Sequence, residues 1–297
     1  MTSHSSDFPI PDVDNPRVRQ LFADMRERTA IMGILNVTPD SFSDGGRLLE
    51  PGAAVAHGLR MVEDGADVVD IGGESTRPGA EPVALEEELA RVIPVIAVLR
   101  RKTRALISID TYKSSVARAA IEAGADIVND ISGLTFDPEM ARLIAEKRVP
   151  AIIMHIKGAP RDMQLSPEYD DVMGEISDFL RGRITAAVEA GAAEELLIVD
   201  PGFGFGKKPE HNLEVVRRLS ELKRLGRPIL LGPSRKATIG KILGDVPPQK
   251  RLEGTAAMVA LAVANGANMV RVHDVKEMAA VAKVADAVCR VPPPKRS

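Results

Sequence analysis

Asp110 and Asn129 stand inside short apolar runs, ALISIDT and ADIVNDI, where a polar side chain is costly. A buried carboxylate without donors or a counter-charge loses several kcal/mol, so such positions call for a partner. A ligand rich in N–H groups would supply one. Other hydrogen-bonding or charged residues close similar runs: Asn36, Glu74, Thr76, Arg77, Met154–His155, Asp200, Ser234, Lys236, Arg271, His273 and Asp274. Taken together they suit a ligand in two parts. Two carboxylates and an amide can meet the donor edge of an aminopyrimidinone ring while a lysine donates to its carbonyl oxygen, so Asp110, Asn129, Asp200 and Lys236 fit a pterin. Arg271 and His273, two apart on one run, point to the same side of a strand, and arginine geometry favours phosphate oxygens. Asn36 faces this anionic end, where a neutral oxygen can help to hold Mg²⁺ on a diphosphate.

Plainer readings compete at single positions. Asp and Asn often cap the helix that follows a strand. GFGFGKK (202–208) matches neither the dinucleotide fingerprint nor the P-loop spacing and reads as a glycine turn that places Phe203 and Phe205. His155 lacks a second His or Cys at metal spacing and reads as a hydrogen-bonded structural residue. Lys236, inside Ser-Arg-Lys, fits anion or carbonyl recognition, with a Schiff-base nucleophile as the alternative.

The elements that must position these groups recur along the chain. Eight β-branched runs, at 30–37, 66–73, 105–111, 125–131, 150–156, 196–202, 228–234 and 268–274, alternate with amphipathic segments long enough for crossover helices. EDGADVVDIGG, EAGADIVNDI and ANGANMVRVHD repeat one pattern, from helix end through Gly to strand. The expectation is an α/β fold, a (β/α)8 TIM barrel forming a single domain over 30–290, with an N-terminal extension (1–29) and a C-terminal tail (291–297). An open doubly wound sheet is the alternative. In such a barrel the carboxyl ends of the strands carry the chemistry, which is where the polar residues fall.

Composition narrows the class of partner. In 297 residues, 39 basic side chains face 42 acidic ones for a net charge of -3, so no basic field recruits nucleic acid. One cysteine, Cys289, rules out an internal disulfide and, inside a helical pattern, reads as a core residue. The polar first thirty residues lack the apolar centre of a signal peptide, and no run is long enough to cross a membrane. A cytoplasmic, soluble protein is expected. The helical segments near 251–266 and 275–290 have amphipathic faces that a partner subunit could cover.

The longer motifs resemble a known family. ILNVTPDSFSDGG, DIGGESTRPGA (70–80), DPGFGFGK (200–207), SRK (234–236) and RVHD (271–274), supported by SIDT, VNDI, MHIKG and RVIPVI, are similar in order and kind to the dihydropteroate synthases over residues 31 to 290. The resemblance implies a (β/α)8 transferase that joins 6-hydroxymethyl-7,8-dihydropterin diphosphate to 4-aminobenzoate, making 7,8-dihydropteroate and diphosphate. It implies that Asp110, Asn129, Asp200 and Lys236 bind the pterin, that Met154 packs on it, and that Asn36, Arg271 and His273 hold the diphosphate with Mg²⁺. The second substrate is then expected near Thr76, Arg77, Pro78, Phe205, Ser234 and Lys236. By the same resemblance, Thr38 to Gly46 closes over the site, with Pro39 and Phe42 walling the aminobenzoate and Asp44 stabilising developing positive charge. Arg77, Lys236, Arg271 and His273 join Phe42 and Asp44 as the expected catalytic set. Sulfonamides are expected to compete as aminobenzoate mimics, and a homodimer is the family expectation. Pterin-binding methyltransferases share such a pocket, but they need neither the ESTRPGA wall nor the RVHD clamp. A paralogue that binds pterin without making pteroate stays open.

Overall fold

The structure, a computed structural model, describes residues 8–38, 51–77, 79–165 and 167–290. Eight strands form one parallel sheet: β1 (Ala30–Asn36), β2 (Val68–Gly72), β3 (Leu106–Asp110), β4 (Ile127–Asp130), β5 (Ala151–Met154), β6 (Leu197–Asp200), β7 (Leu230–Leu231) and β8 (Met269–Val272). Among the described residues ten α-helices accompany them: α1 (Pro16–Glu27), α2 (Pro51–Glu63), α3 (Leu85–Lys102), α4 (Ser114–Ala123), α5 (Met140–Lys147), α6 (Val172–Glu189), α7 (Pro209–Arg217), α8 (Ala237–Ile242), α9 (Leu252–Ala264) and α10 (Val275–Cys289). Sheet order is β6-β5-β4-β3-β2-β1-β8-β7, and a bridge from Val199 to Ile229 joins β6 to β7. The ring therefore closes as the expected barrel, thinnest at the short β7.

The repeated Gly-Ala-Asp/Asn pattern has a physical meaning at the lower rim. Gly65, Gly124 and Gly266 take φ of 107°, 114° and 100°, the left-handed region that ends a helix cheaply only for glycine. Two residues later each polar side chain accepts the backbone N–H of a neighbouring strand. Asp67 takes Ile31 N–H at 2.8 Å, Asp126 takes Ile107 N–H at 3.0 Å, and Asn268 takes Ile229 N–H at 2.9 Å. One short sequence thus stops a helix and registers two strands.

Period-2 alternation divides each strand between two cores. Ile31, Leu35, Val69, Ile71, Ile107, Ile109, Val128, Ile153, Val199 and Val270 face the helices. Met32, Val68, Leu106, Ile127, Ile152, Ile198, Leu230 and Met269 fill the lower lumen, where they meet Phe8, Phe22 and Met25. Helix α1, capped by Asn15 accepting Arg17 N–H at 3.1 Å and begun by Pro16, plugs the bottom of the barrel. Arg28 pairs with Asp67 at 2.6 Å and Arg17 with Asp126 at 2.8 Å, so residues 8–29 of the extension are bonded to the barrel. Cys289 departs from expectation: it ends α10 only partly buried, because the apolar stripe of that helix runs through Val275, Met278, Ala282 and Ala285 instead.

Candidate active site

Above the apolar floor the inner face of the barrel turns polar. Register sets Asp70 beside Ser108, Asp110 beside Asn129, and Met154 beside Asp200. Asp70, Ser108, Asp110, Asn129, Met154 and Asp200 are all buried, while Lys236, Arg271 and His273 are half-buried at the mouth. Arg271 links the carboxylates: its Nε donates to Asp70 Oδ2 and its Nη2 to Asp110 Oδ2, both at 2.6 Å. Asn129 Nδ2 donates to the same Asp70 oxygen at 3.0 Å. The donor that Asp110 was expected to need from a ligand is thus partly supplied within the protein by Arg271, and the Asn129 amide finds an acceptor in Asp70. Arginine at the strand end, two residues before His273, reaches back into the lumen. Two atoms are left over: Asp70 Oδ1 and Ser108 Oγ are buried with no partner among the described residues. Buried polar atoms rarely remain so, and a lumen holding these two is built for water or a polar ligand.

Burial shifts the ionisable groups. It pushes Asp200 up to about 6, against the Gly202 N–H that donates to its Oδ1 at 2.7 Å and the nearby Lys236. It raises Asp110 as well, with Arg271 opposing. Lys236 is lowered to about 8, first by burial and then by Arg271. His273 falls to about 3, by burial and by Arg271 and Arg235, so its imidazole is neutral at pH 7. Its Nδ1 lies 2.9 Å from Ser234 Oγ, which also accepts the His273 backbone N–H at 3.1 Å, tying β7 to β8 at the mouth.

The glycine turn after β6 delivers Phe205 under Lys236, with Nζ 4.0 Å from the ring centroid. Only glycine permits that path. A Cβ on Gly202, at φ +70°, would lie 1.9 Å from the His155 carbonyl oxygen, and one on Gly206 2.3 Å from that of Lys157. Lys207 is sealed beneath the turn. Its Nζ donates to Gly202 O and Phe205 O at 3.0 Å and contacts His155 Nδ1 at 2.9 Å. Burial and Lys207 lower His155 to about 2, so its ring is neutral at pH 7 and is held within the protein against Lys207. Asn36 ends β1 half-buried, Thr76 is half-buried, and Arg77 is exposed beyond β2. Pro39, Phe42, Asp44 and Pro78 lie outside the described residues.

Comparison with known proteins agrees with this geometry. The profile of the pterin binding enzymes matches residues 32–273. The chain belongs to the pterin binding enzyme family. Within it, the dihydropteroate synthase of a Synechocystis strain is 51% identical over 273 residues, covering 92% of this chain and 94% of the relative. The structure of the Xanthomonas albilineans dihydropteroate synthase with 4-aminobenzoic acid superposes with a TM-score of 0.84 at 48% identity, covering 90% and 95% of the two chains. That of the Yersinia pestis enzyme in complex with a sulfonamide drug gives 0.84 at 45%, covering 88% and 94%.

For this pterin binding enzyme, sequence reasoning passed over Asp70 and Lys207. Both carried a signal: Asp70 interrupts VVDIG two residues after the inward-facing Val68, and Lys207 follows three glycines that leave backbone carbonyls bare. What was missing was the knowledge that Arg271 crosses the lumen to meet the first.

Proposed function

We propose that the chain is a transferase of folate biosynthesis that joins 6-hydroxymethyl-7,8-dihydropterin diphosphate to 4-aminobenzoate, releasing diphosphate and 7,8-dihydropteroate. The observation that carries this reading is the lumen that is apolar below and hydrogen-bonding above, with Asp110, Asn129 and Asp200 buried beneath the cationic Lys236 and Arg271. Relatives of that activity, matched along nine-tenths of the chain, support it.

The pterin ring enters the polar lumen. Asp200, ionised at pH 7, accepts ring N–H groups through the oxygen not used by Gly202, and Lys236, mostly protonated at that pH, donates to the ring carbonyl. Met154 packs on the ring face. The diphosphate faces His273 and Arg271; the neutral imidazole offers it one N–H donor, and Arg271 supplies the positive charge. No group of three or more acidic, His or Cys side chains among the described residues could by itself hold a metal ion. Asn36 offers one neutral oxygen at the strand end and would be the residue to help hold Mg²⁺ beside the diphosphate. When bound, the ion supplies charge neutralisation for the leaving group.

No protein nucleophile is needed. The pterin methylene loses diphosphate with carbocation character as Arg271 and His273 take up the departing charge, and the electron-rich ring supports the cation. The aniline nitrogen, neutral at pH 7, then attacks the methylene and gives up one proton to the departing diphosphate or to water, with Thr76, Arg77, Phe205 and Ser234 walling the aminobenzoate. Phe42 and Asp44, which the family resemblance assigns to this end, lie outside the described residues. Sulfonamides compete for the aminobenzoate position. We also propose a cytoplasmic homodimer. Among the described residues no helix is long and apolar enough to cross a membrane, and α9 with α10 leaves Leu261, Val284 and Val288 at 51%, 66% and 76% exposure.

The test is dihydropteroate formation from the two substrates, with and without Mg²⁺, beside Asp200→Ala and Arg271→Ala. Mg²⁺-dependent product that both variants lose supports the reaction and both halves of the site. Folded protein that binds pterin yet makes no product would refute it.

A further inference from the structure

The half of the mouth that receives the second substrate rests on a buried charge cluster that the reaction itself does not use. Lys113, three residues past Asp110 and at the N-terminus of α4, spends all three ammonium hydrogens on one place. Its Nζ donates to Glu74 Oε2 at 2.6 Å, to Glu88 Oε2 at 2.5 Å and to the Val83 carbonyl at 2.7 Å. Tyr112 O–H donates to Glu74 Oε1 at 2.7 Å, and Glu74 Oε2 also accepts Val83 N–H at 3.0 Å. Glu74 and Val83 are the two ends of the segment that leaves β2 and enters α3. Thr76 and Arg77 lie between them. Below the cluster, Arg91 holds the Gly73 carbonyl at 2.6 Å, and a Cβ on Gly73 would lie 2.8 Å from Val92, so α3 presses directly on the base of the segment. Far from its base, Gly79 N–H donates to the Pro160 carbonyl beyond β5 at 3.1 Å, which carries the segment across the mouth.

We propose that Lys113 is a positioning residue for 4-aminobenzoate, holding both ends of the Glu74–Val83 segment so that Thr76 and Arg77 stand where the second substrate enters. This rests on the reading of the reaction above. Two carboxylates taken from water are stable only with a shared, fully engaged cation, and side chains at 9% and 1% exposure, for Glu74 and Glu88, leave water little part in that. A cluster serving the fold alone has no need to grip the start and end of one loop. Lys113 also follows the strand that bears Asp110, so the clamp ties the second-substrate loop to a pterin-facing strand.

Lys113→Met keeps the length and the packing of the stem while removing every donor. Kinetics with each substrate varied in turn should show the KM for 4-aminobenzoate rising about tenfold or more, since displacing a positioning loop by ~1 Å costs on that scale, with the KM for the pterin diphosphate within about twofold. Hydrogen exchange should quicken across 75–83 and not in β3. Both KM values rising together, kcat alone falling, or faster exchange with an unchanged KM overturns the proposal. Should Lys113→Met fail to fold, Tyr112→Phe, which removes one bond to Glu74, must show the same split at smaller size; failure of both to fold assigns the cluster to the fold and overturns the proposal too. Wild-type protein that makes no product refutes the reaction and this role with it, whereas wild-type turnover with an unsplit response refutes the role alone.

Discussion

Asp70 is the hinge of the polar lumen, and its replacement tests the whole arrangement. It is fully buried, and one of its oxygens accepts from both Arg271 Nε and Asn129 Nδ2 while the other has no partner among the described residues. In Asp70→Ala the guanidinium keeps Asp110. Breaking a buried pair costs about 3–5 kcal/mol, but Arg271 is 18% exposed and retains that second carboxylate, which brings the loss to about 2 kcal/mol. The orphaned Asn129 amide adds about 1 kcal/mol, and removal of the unpartnered Asp70 oxygen returns a similar amount. The expected net is a loss of about 2 kcal/mol. Asp70→Asn can accept both hydrogen bonds through its amide oxygen while dropping the charge, so it should lose about 1 kcal/mol or less. Urea titration followed by far-ultraviolet circular dichroism suits a chain with no tryptophan and measures both. If Asn costs as much as Ala, the charge and not the hydrogen bonding holds Arg271. If neither moves the midpoint, the bridge from Asp70 through Arg271 to Asp110 contributes nothing, and the account of the lumen fails.

Other consequences are as open to measurement. Binding of a dihydropterin without the diphosphate arm should strengthen as pH rises through about 6, where Asp200 ionises and can accept, and weaken above about 8, where Lys236 loses the proton it donates. Calorimetric affinities that stay flat from pH 5 to 9, or an Asp200→Asn variant that keeps the lower limb, contradict those roles. Gly202→Ala, which forces a Cβ to within 1.9 Å of the His155 carbonyl at positive φ, should yield protein that is insoluble or at least about 3 kcal/mol less stable on denaturation, since both the clash and the backbone strain must be relieved. Phe22→Ala, at the floor of the barrel, should cost about 3–5 kcal/mol by the same titration, and a much smaller loss would mean that α1 merely lies against the barrel. Val284→Glu, on the exposed face of α10, should convert the proposed homodimer to a monomer in analytical ultracentrifugation, and a mass that the substitution leaves unchanged would refute a dimer through this face.

The sequence by itself determined the barrel and its polar rim. Strands buried on both faces read as continuous apolar runs, glycine at a helix end announces the left-handed stop, and an Asp or Asn in an apolar run advertises its cost locally, as at Asp110, Asn129 and Asp200. These are effects of neighbouring residues, so spacing along the chain reveals them. Tertiary structure alone decided which charge meets which. Arg271 reaches Asp70 and Asp110 across 201 and 161 residues of chain, Lys113 joins Glu74 and Glu88, and α1 becomes the floor of a barrel that its own sequence does not mention. Pairing of that kind depends on strand register and on distance through the closed lumen. Neither quantity exists until the ring has closed.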